Sequence, residues 1–261
     1  MKATYPIGVF DSGLGGLNIL KELRKVLPFE DFAYLADNLN CPYGIKTKTE
    51  IIALVRKVLI FFENLPVKLV VLACNTSSAY LEELRLETTL PLIGVIIPTA
   101  EVALKTAKQG DLAVLATEAT IDSGIYQEIL KNQKRKKHFV KCSEFVGAIE
   151  AGLDAKSSRD LVTKKLSFLK EKKPGTFVLA CTHFDLFKEE IQELFPEAKL
   201  ITSGSSTAKA VKQFLKQVKL ENPQKQLGKL SLYVTGENES FRNRCDWILN
   251  KQAYYRLELN N

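Results

Sequence analysis

Val71-Leu72-Ala73-Cys74-Asn75-Thr76 returns later in the chain as Val178-Leu179-Ala180-Cys181-Thr182-His183. Each copy begins as a continuous apolar run and turns polar at the cysteine. Runs of this kind mark strands covered on both faces, the pattern of parallel sheets. A thiol at the carboxyl end of such a strand, just before a helix start, lies where α/β proteins place their chemistry. Two copies suggest two related half-sites facing one ligand. The competing reading is two thiols packed in two cores, since free cysteine is among the most buried residue types.

Similar runs recur on both sides of these copies. Ile7–Phe10, Phe32–Ala36, Val67–Ala73, Leu92–Ile96, Leu112–Ala116, Phe139–Cys142, Phe177–Ala180, Lys199–Ile201 and Leu230–Val234 read as strands. Helical periodicity separates them. Leu20, Leu23 and Leu27 share a face, as do Ile52, Val55, Leu59 and Phe62 within Thr49–Asn64. Phe184–Phe195 carries Leu186, Phe187, Ile191 and Leu194 and reads as one helix. This alternation predicts an α/β fold with mainly parallel sheets flanked by helices. Pro98 and the Ser- and Gly-containing stretch Thr202–Thr207 mark candidate crossovers. They suggest a discontinuous first lobe (residues 1–97 plus 209–261) and an inserted second lobe (98–208), each holding one copy of the repeat.

At 261 residues the chain is long enough to bury roughly three quarters of its unfolded surface without staples. Five cysteines, an odd number, do not form a disulfide framework and point to a reducing compartment, hence a cytoplasmic protein. The start Met1-Lys2-Ala3-Thr4-Tyr5-Pro6 lacks a signal-peptide core, and no apolar stretch approaches membrane-spanning length. Net charge is +7, concentrated in Lys131–Lys141 and Lys164–Lys173, which read as solvated helix faces and a loop. Aromatic residues do not interleave with the charge, so nucleic-acid contact is at most secondary. Steering of an anionic small molecule fits this surface as well.

Two further segments bear on chemistry. Asp11-Ser12-Gly13-Leu14-Gly15-Gly16 follows the first strand. Glycines at a strand-to-helix turn let backbone amides approach an anion. The spacing is neither the dinucleotide fingerprint nor a phosphate loop. Asp11 itself suits an amino group or an acid/base role, against the plainer reading of a helix cap. Asp37-Asn38 through Pro42-Tyr43-Gly44 forms a turn after the second strand, with a hydroxyl on Tyr43. The cysteine segments do not match a phosphatase loop, because Tyr80 and Phe187 stand where that loop needs arginine. Zinc is the serious competitor, with Cys74, Cys181 and His183 as three ligands, but no paired-cysteine spacing accompanies them. The same lack argues against a Cys74–Cys181 redox couple. His183 is placed to tune the thiol of Cys181 or carry its proton. Cys41, Cys142 and Cys245 read as packing residues.

Ile7-Gly8-Val9-Phe10-Asp11-Ser12-Gly13-Leu14-Gly15-Gly16, Asp37 with Pro42-Tyr43-Gly44, Ala73-Cys74-Asn75-Thr76-Ser77-Ser78-Ala79, Gly94-Val95-Ile96-Ile97-Pro98 and Cys181-Thr182-His183 together resemble the glutamate racemases of the aspartate/glutamate racemase superfamily. The resemblance implies two pseudo-symmetric α/β lobes with the active site in the cleft between them. It implies a cofactor-independent isomerase that interconverts L- and D-glutamate for peptidoglycan synthesis, with no metal. By the family pattern Cys74 and Cys181 are the acid/base thiols, with Asp11, His183 and Glu150 beside them. Asp11, Ser12, Tyr43, Gly44, Asn75, Thr76, Thr120, Thr182 and His183 match substrate-contacting positions, and Thr117 borders them. A homodimer is expected, and a topoisomerase contact is a second role known in the family.

The chain departs from the pattern at Ala180, where glycine is usual, at Phe184-Asp185-Leu186 after the histidine, and at Thr202 before Ser203. These bear on tuning rather than on reaction class. No long N-terminal extension precedes the first strand, so activation by a cell-wall precursor is not expected. Aspartate is the alternative substrate. A topoisomerase-binding or zinc-binding protein is the alternative of a different class. Two opposed thiols suit racemisation: one takes the Cα proton and the other returns one to the opposite face. A free thiol near pKa ~8.5 is only a few per cent thiolate at neutrality, so a helix N-terminus or His183 is expected to lower it.

Overall fold

The apolar runs fold as parallel strands in two sheets of a computed structural model, which describes residues 1–106, 110–236, 239, 241–243, 245 and 255–256. In chain order the elements are β1 (Ile7–Asp11), α1 (Gly16–Val26), β2 (Phe32–Ala36), α2 (Lys48–Asn64), β3 (Leu69–Leu72), α3 (Asn75–Ser78), α4 (Leu81–Leu84), β4 (Leu92–Gly94), α5 (Ile96–Thr106), β5 (Asp111–Ala116), α6 (Glu118–Asp122), α7 (Ile125–Ile129), β6 (Lys137–Lys141), α8 (Ser143–Glu150), α9 (Ala155–Leu166), β7 (Pro174–Ala180), α10 (Lys188–Leu194), β8 (Lys199–Ile201), α11 (Gly204–Gln217), β9 (Leu230–Val234) and β10 (Tyr255–Arg256). The first sheet has the order β10-β9-β2-β1-β3-β4, and the second β6-β5-β7-β8. Every pairing is parallel.

Burial explains why the strands read as unbroken apolar runs. All residues of β1, β2 and β3 are buried, because helices cover both faces. Along β3, Leu69 and Val71 face one core while Val70 and Leu72 face another that also takes in Cys74. In β7 the alternation runs the other way. Val178 and Ala180 face the second lobe's separate core, and Cys181 joins the core shared by both sheets. The two copies of the repeat therefore present their thiols from opposite sheet faces.

Local signals set the helix limits. Thr47 and Glu50 form a reciprocal capping box that starts α2. Its buried stripe is Ile51, Val55, Val58, Leu59 and Phe62, so Ile52 turns to the edge. Asp154 caps α9 by accepting from the amides of Lys156 and Ser157. The single helix expected over Phe184–Phe195 is instead a 3₁₀ turn, Thr182–Phe187, followed by α10. Four buried side chains in that turn hold the chain against the sheet before a regular helix can begin. Most of Lys131–Lys141 is an edge strand and its lead-in, not a helix face: Lys137 is spent on the carbonyls of Leu130 and Gln133. No helix among the described residues is long and apolar enough to cross a membrane.

Candidate active site

Strand order decides where the site forms. In the first sheet the chain leaves β1 toward β2 on one side, and β3 lies on the other. In the second, β5 has β6 on one side and β7 on the other. Each is a point where strand order reverses, and open α/β sheets hold their ligands in the crevice at such points. Four segments emerge there: Asp11-Ser12 at the end of β1, Cys74-Asn75-Thr76 after β3, Thr117 after β5, and Cys181-Thr182-His183 after β7.

Hydrogen bonds knit these segments across the cleft. Ser12 Oγ lies 3.5 Å from Cys74 Sγ. Thr182 Oγ1 donates to Asp11 Oδ2 at 3.1 Å, joining the second Cys segment to the first lobe. Thr76 Oγ1 meets Thr117 Oγ1 at 3.0 Å and Thr120 Oγ1 at 3.4 Å. His183 bridges Cys181, whose sulfur is 3.9 Å from Nδ1, and Glu150, whose Oε1 is 2.7 Å from Nε2. Glu150 Oε1 also accepts from the amide of Leu14 at 3.4 Å. Both thiols are buried, Cys74 at 4% exposure and Cys181 at 8%, so the site is closed over its chemistry. A cleft of 480 Å³ opens at the Gly44–Lys48 turn between Tyr80 and Asp122, and neither thiol lines it.

Burial dominates the electrostatics. Asp11 is fully buried, and desolvation lifts its carboxyl to about 6, against the pull of His183 and the Gly13 and Thr182 hydrogen bonds. Cys74 is pushed up to about 11 by burial and then by the charge of Asp11, which outweigh its bonds from Ser12 and Ser77. This corrects the expectation of a lowered thiol at Cys74. The helix it caps, α3, is a single turn of four residues, too short to offset the lost solvation. His183 goes the other way. Burial pulls it down, but its acceptors Cys181 and Glu150 prevail and hold it at about 10.

Several expected residues take unexpected partners. Asp11 is not the N-cap residue of α1, which is Gly15, but its carboxylate accepts from the Gly13 amide at 2.9 Å and also from the amide of Gly16 at the helix start. The glycine loop is closely packed, and its Gly13 and Leu14 amides donate to the carboxylates of Asp11 and Glu150. A β-carbon on Gly13 would lie 2.6 Å from Glu150 Oε1 and 3.0 Å from Cys41 Sγ. Tyr43 commits its hydroxyl proton to Asp37 at 2.6 Å. Thr235 also donates to Asp37, at 2.6 Å. Gly44 abuts the side chain of Thr117, where a β-carbon would stand at 2.5 Å. Asp185 is half-buried in the turn after Cys181. His138 pairs with Asp111 at 2.7 Å, far from this chemistry in the fold's second sheet.

Two residues at the site carry no sequence signal of their own. Tyr126, on α7 of the second lobe, is fully buried and donates to Asn75 Oδ1 at 3.3 Å. That fixes the amide so that Asn75 Nδ2, a buried donor, is left without a partner among the described residues. Cys41 is the second. It is not a packing residue: it is half-buried, with its sulfur 3.6 Å from Glu150 Oε1. Its position immediately before Pro42-Tyr43-Gly44 was the one available hint. Cys142 does pack in the core, as does Cys245.

Residues 17–211 match the family described as Asp/Glu/Hydantoin racemase. The chain belongs to that family. Among the racemases it is similar to, the glutamate racemase of Aquifex aeolicus is 37% identical over 249 residues, covering 95% of each chain. Among solved structures, a glutamate racemase isoform from Bacillus anthracis superposes with a TM-score of 0.91 at 31% identity, covering 98% of each chain. The glutamate racemase of Francisella tularensis, solved in complex with D-glutamate, gives a TM-score of 0.89 at 31% identity over 99% of each chain. Their two-lobe racemase architecture is the one described here.

Proposed function

We propose that the chain interconverts L- and D-glutamate by proton transfer at Cα, supplying D-glutamate for peptidoglycan synthesis. The observation that supports the mechanism is that Cys74 and Cys181 follow strands of the two different sheets, lie close enough for their charges to interact, and sit beside the Thr182–Asp11 hydrogen bond. One sulfur removes the Cα proton as thiolate and the other donates a proton to the opposite face. The roles exchange in the reverse direction. Each sheet contributes one thiol, Cys74 after β3 of the first and Cys181 after β7 of the second.

Supporting groups divide by charge. Asp11, ionised above about pH 6, suits the substrate ammonium. The unpartnered Asn75 amide, with the Thr76 and Thr120 hydroxyls, suits its carboxylates. These donors stabilise the charge that develops when the weakly acidic Cα–H is broken. His183, 3.9 Å from the Cys181 sulfur, is placed to exchange a proton with that thiol, and Glu150 orients the ring. Cys74 is held protonated at about 11, so substrate entry must bring a cationic ammonium near Asp11 to ease its ionisation.

The test is racemisation of each enantiomer in deuterated water, followed by circular dichroism and proton NMR. Cys74→Ser and Cys181→Ser are each expected to lose at least about 100-fold in rate. Both variants running at the wild-type rate would end the two-thiol reading. L-Aspartate run in parallel decides substrate length.

A further inference from the structure

We propose that Cys41, Glu150 and His183 form a zinc site at the edge of the cleft, and that an ion bound there shuts the enzyme off. The ligand atoms of these three residues all lie within 4.8 Å of one another. Glu150 Oε1 is the centre of the set, 2.7 Å from His183 Nε2 and 3.6 Å from Cys41 Sγ. One thiol, one imidazole and one carboxylate make the mixed sulfur, nitrogen and oxygen donor set that suits Zn²⁺, with the fourth position left for water.

The three ligand residues pack around the bare backbone of Gly13. Gly13 roofs the triad without a side chain: a β-carbon there would meet Glu150 Oε1 at 2.6 Å, Cys41 Sγ at 3.0 Å and the His183 ring at 3.4 Å. The set is not sealed off either, since Cys41 and Glu150 are only partly buried, which gives an ion a way in from solvent. Three separate segments supply the ligands: the turn after β2, the end of α8 and the turn after β7. Zinc would therefore tie the two lobes together as well as occupy His183. Coordination forms bonds to the Cys41 sulfur, the His183 nitrogen and a Glu150 oxygen. It sends the thiol proton and the ring proton facing Glu150 to solvent, with no change of oxidation state. Zinc held this way is distinct from capture by Cys74 and Cys181, because it depends on a thiol outside the proposed proton transfer.

The inhibitory half of this proposal rests on the racemase reading, whereas the binding half does not, so the two are measured separately. Binding is followed with Co²⁺ on the full chain, as one equivalent showing a near-ultraviolet thiolate-to-cobalt charge-transfer band, and with Zn²⁺ by competition against a chromophoric chelator. Cys41→Ser is expected to abolish the band and weaken Zn²⁺ at least about tenfold. Cys41→Ala serves as the second variant and is expected to behave the same way. In the activity assay, Zn²⁺ should inhibit the wild type reversibly by chelator, and both Cys41 variants should resist it. A wild type that binds no metal, or a Cys41 variant that binds and is inhibited as tightly as wild type, overturns the proposal.

Discussion

Replacing Asp11 by asparagine should make the protein more stable while impairing it as an enzyme. Asp11 is completely buried, and desolvation holds its carboxyl at about 6 against an ordinary 3.8. That gap corresponds to about 3 kcal/mol of folding free energy lost at neutral pH. The sign follows from the direction of the shift. A carboxyl whose native pKa is raised adds its full stability below pH 3.8 and loses it as the pH rises through about 6. Asparagine is neutral throughout. It keeps the acceptor for the Gly13 amide, and the Thr182 hydroxyl can turn to accept from the new amide. Urea unfolding of wild type and Asp11→Asn should therefore differ by about 3 kcal/mol at about pH 7.5 and by roughly half that at about pH 5. In thermal melts the neutral-pH gap is on the order of 6–12 °C for a chain of this size. Racemisation should fall in the same variant, a trade of stability for function at a charged site. An Asp11→Asn chain no more stable than wild type at neutral pH, or a gap that does not change with pH, refutes the reasoning.

Two further outcomes follow from buried polar contacts. Tyr126→Phe removes the bond that orients Asn75. Steady-state kinetics should show KM for glutamate rising about two- to tenfold with a smaller effect on kcat, as expected for one hydrogen bond. Lys68 is buried, ion-paired to Glu30, and also donates to the carbonyls of Ala3 at 2.7 Å and Leu220 at 3.0 Å. Lys68→Met leaves the Glu30 carboxylate unpaired and should cost about 3–5 kcal/mol in urea unfolding. Lys68→Met combined with Glu30→Gln should recover part of it.

The α/β class and the thiol pair were legible in the sequence because their causes are local. A strand covered on both faces reads as a continuous apolar run, which is why β2 appears residue for residue at Phe32–Ala36, whereas β9, Leu230–Val234, alternates buried and half-buried residues. The repeat marked both strand-end cysteines for the same reason. The helix assigned to Phe184–Phe195 failed because periodicity cannot distinguish a 3₁₀ turn, buried against a sheet, from the first turns of a helix. β10 was passed over because two residues carry no pattern.

What lay beyond the sequence is everything that depends on contacts between distant residues. Cys41 and Glu150 are 109 positions apart, and Tyr126 and Asn75 are 51 apart. No spacing rule links such pairs. The sign of the Cys74 shift was equally hidden, since a helix start is readable but the depth of burial that outweighs it is not. The sequence by itself determined the strands, the parallel sheets and the two thiols, because apolar patterning and strand-end chemistry are written in neighbouring residues. Only the tertiary structure decided which thiols share a cleft, which charges they meet and how much solvent they lose, because desolvation and cross-lobe hydrogen bonds arise when the two sheets close on each other.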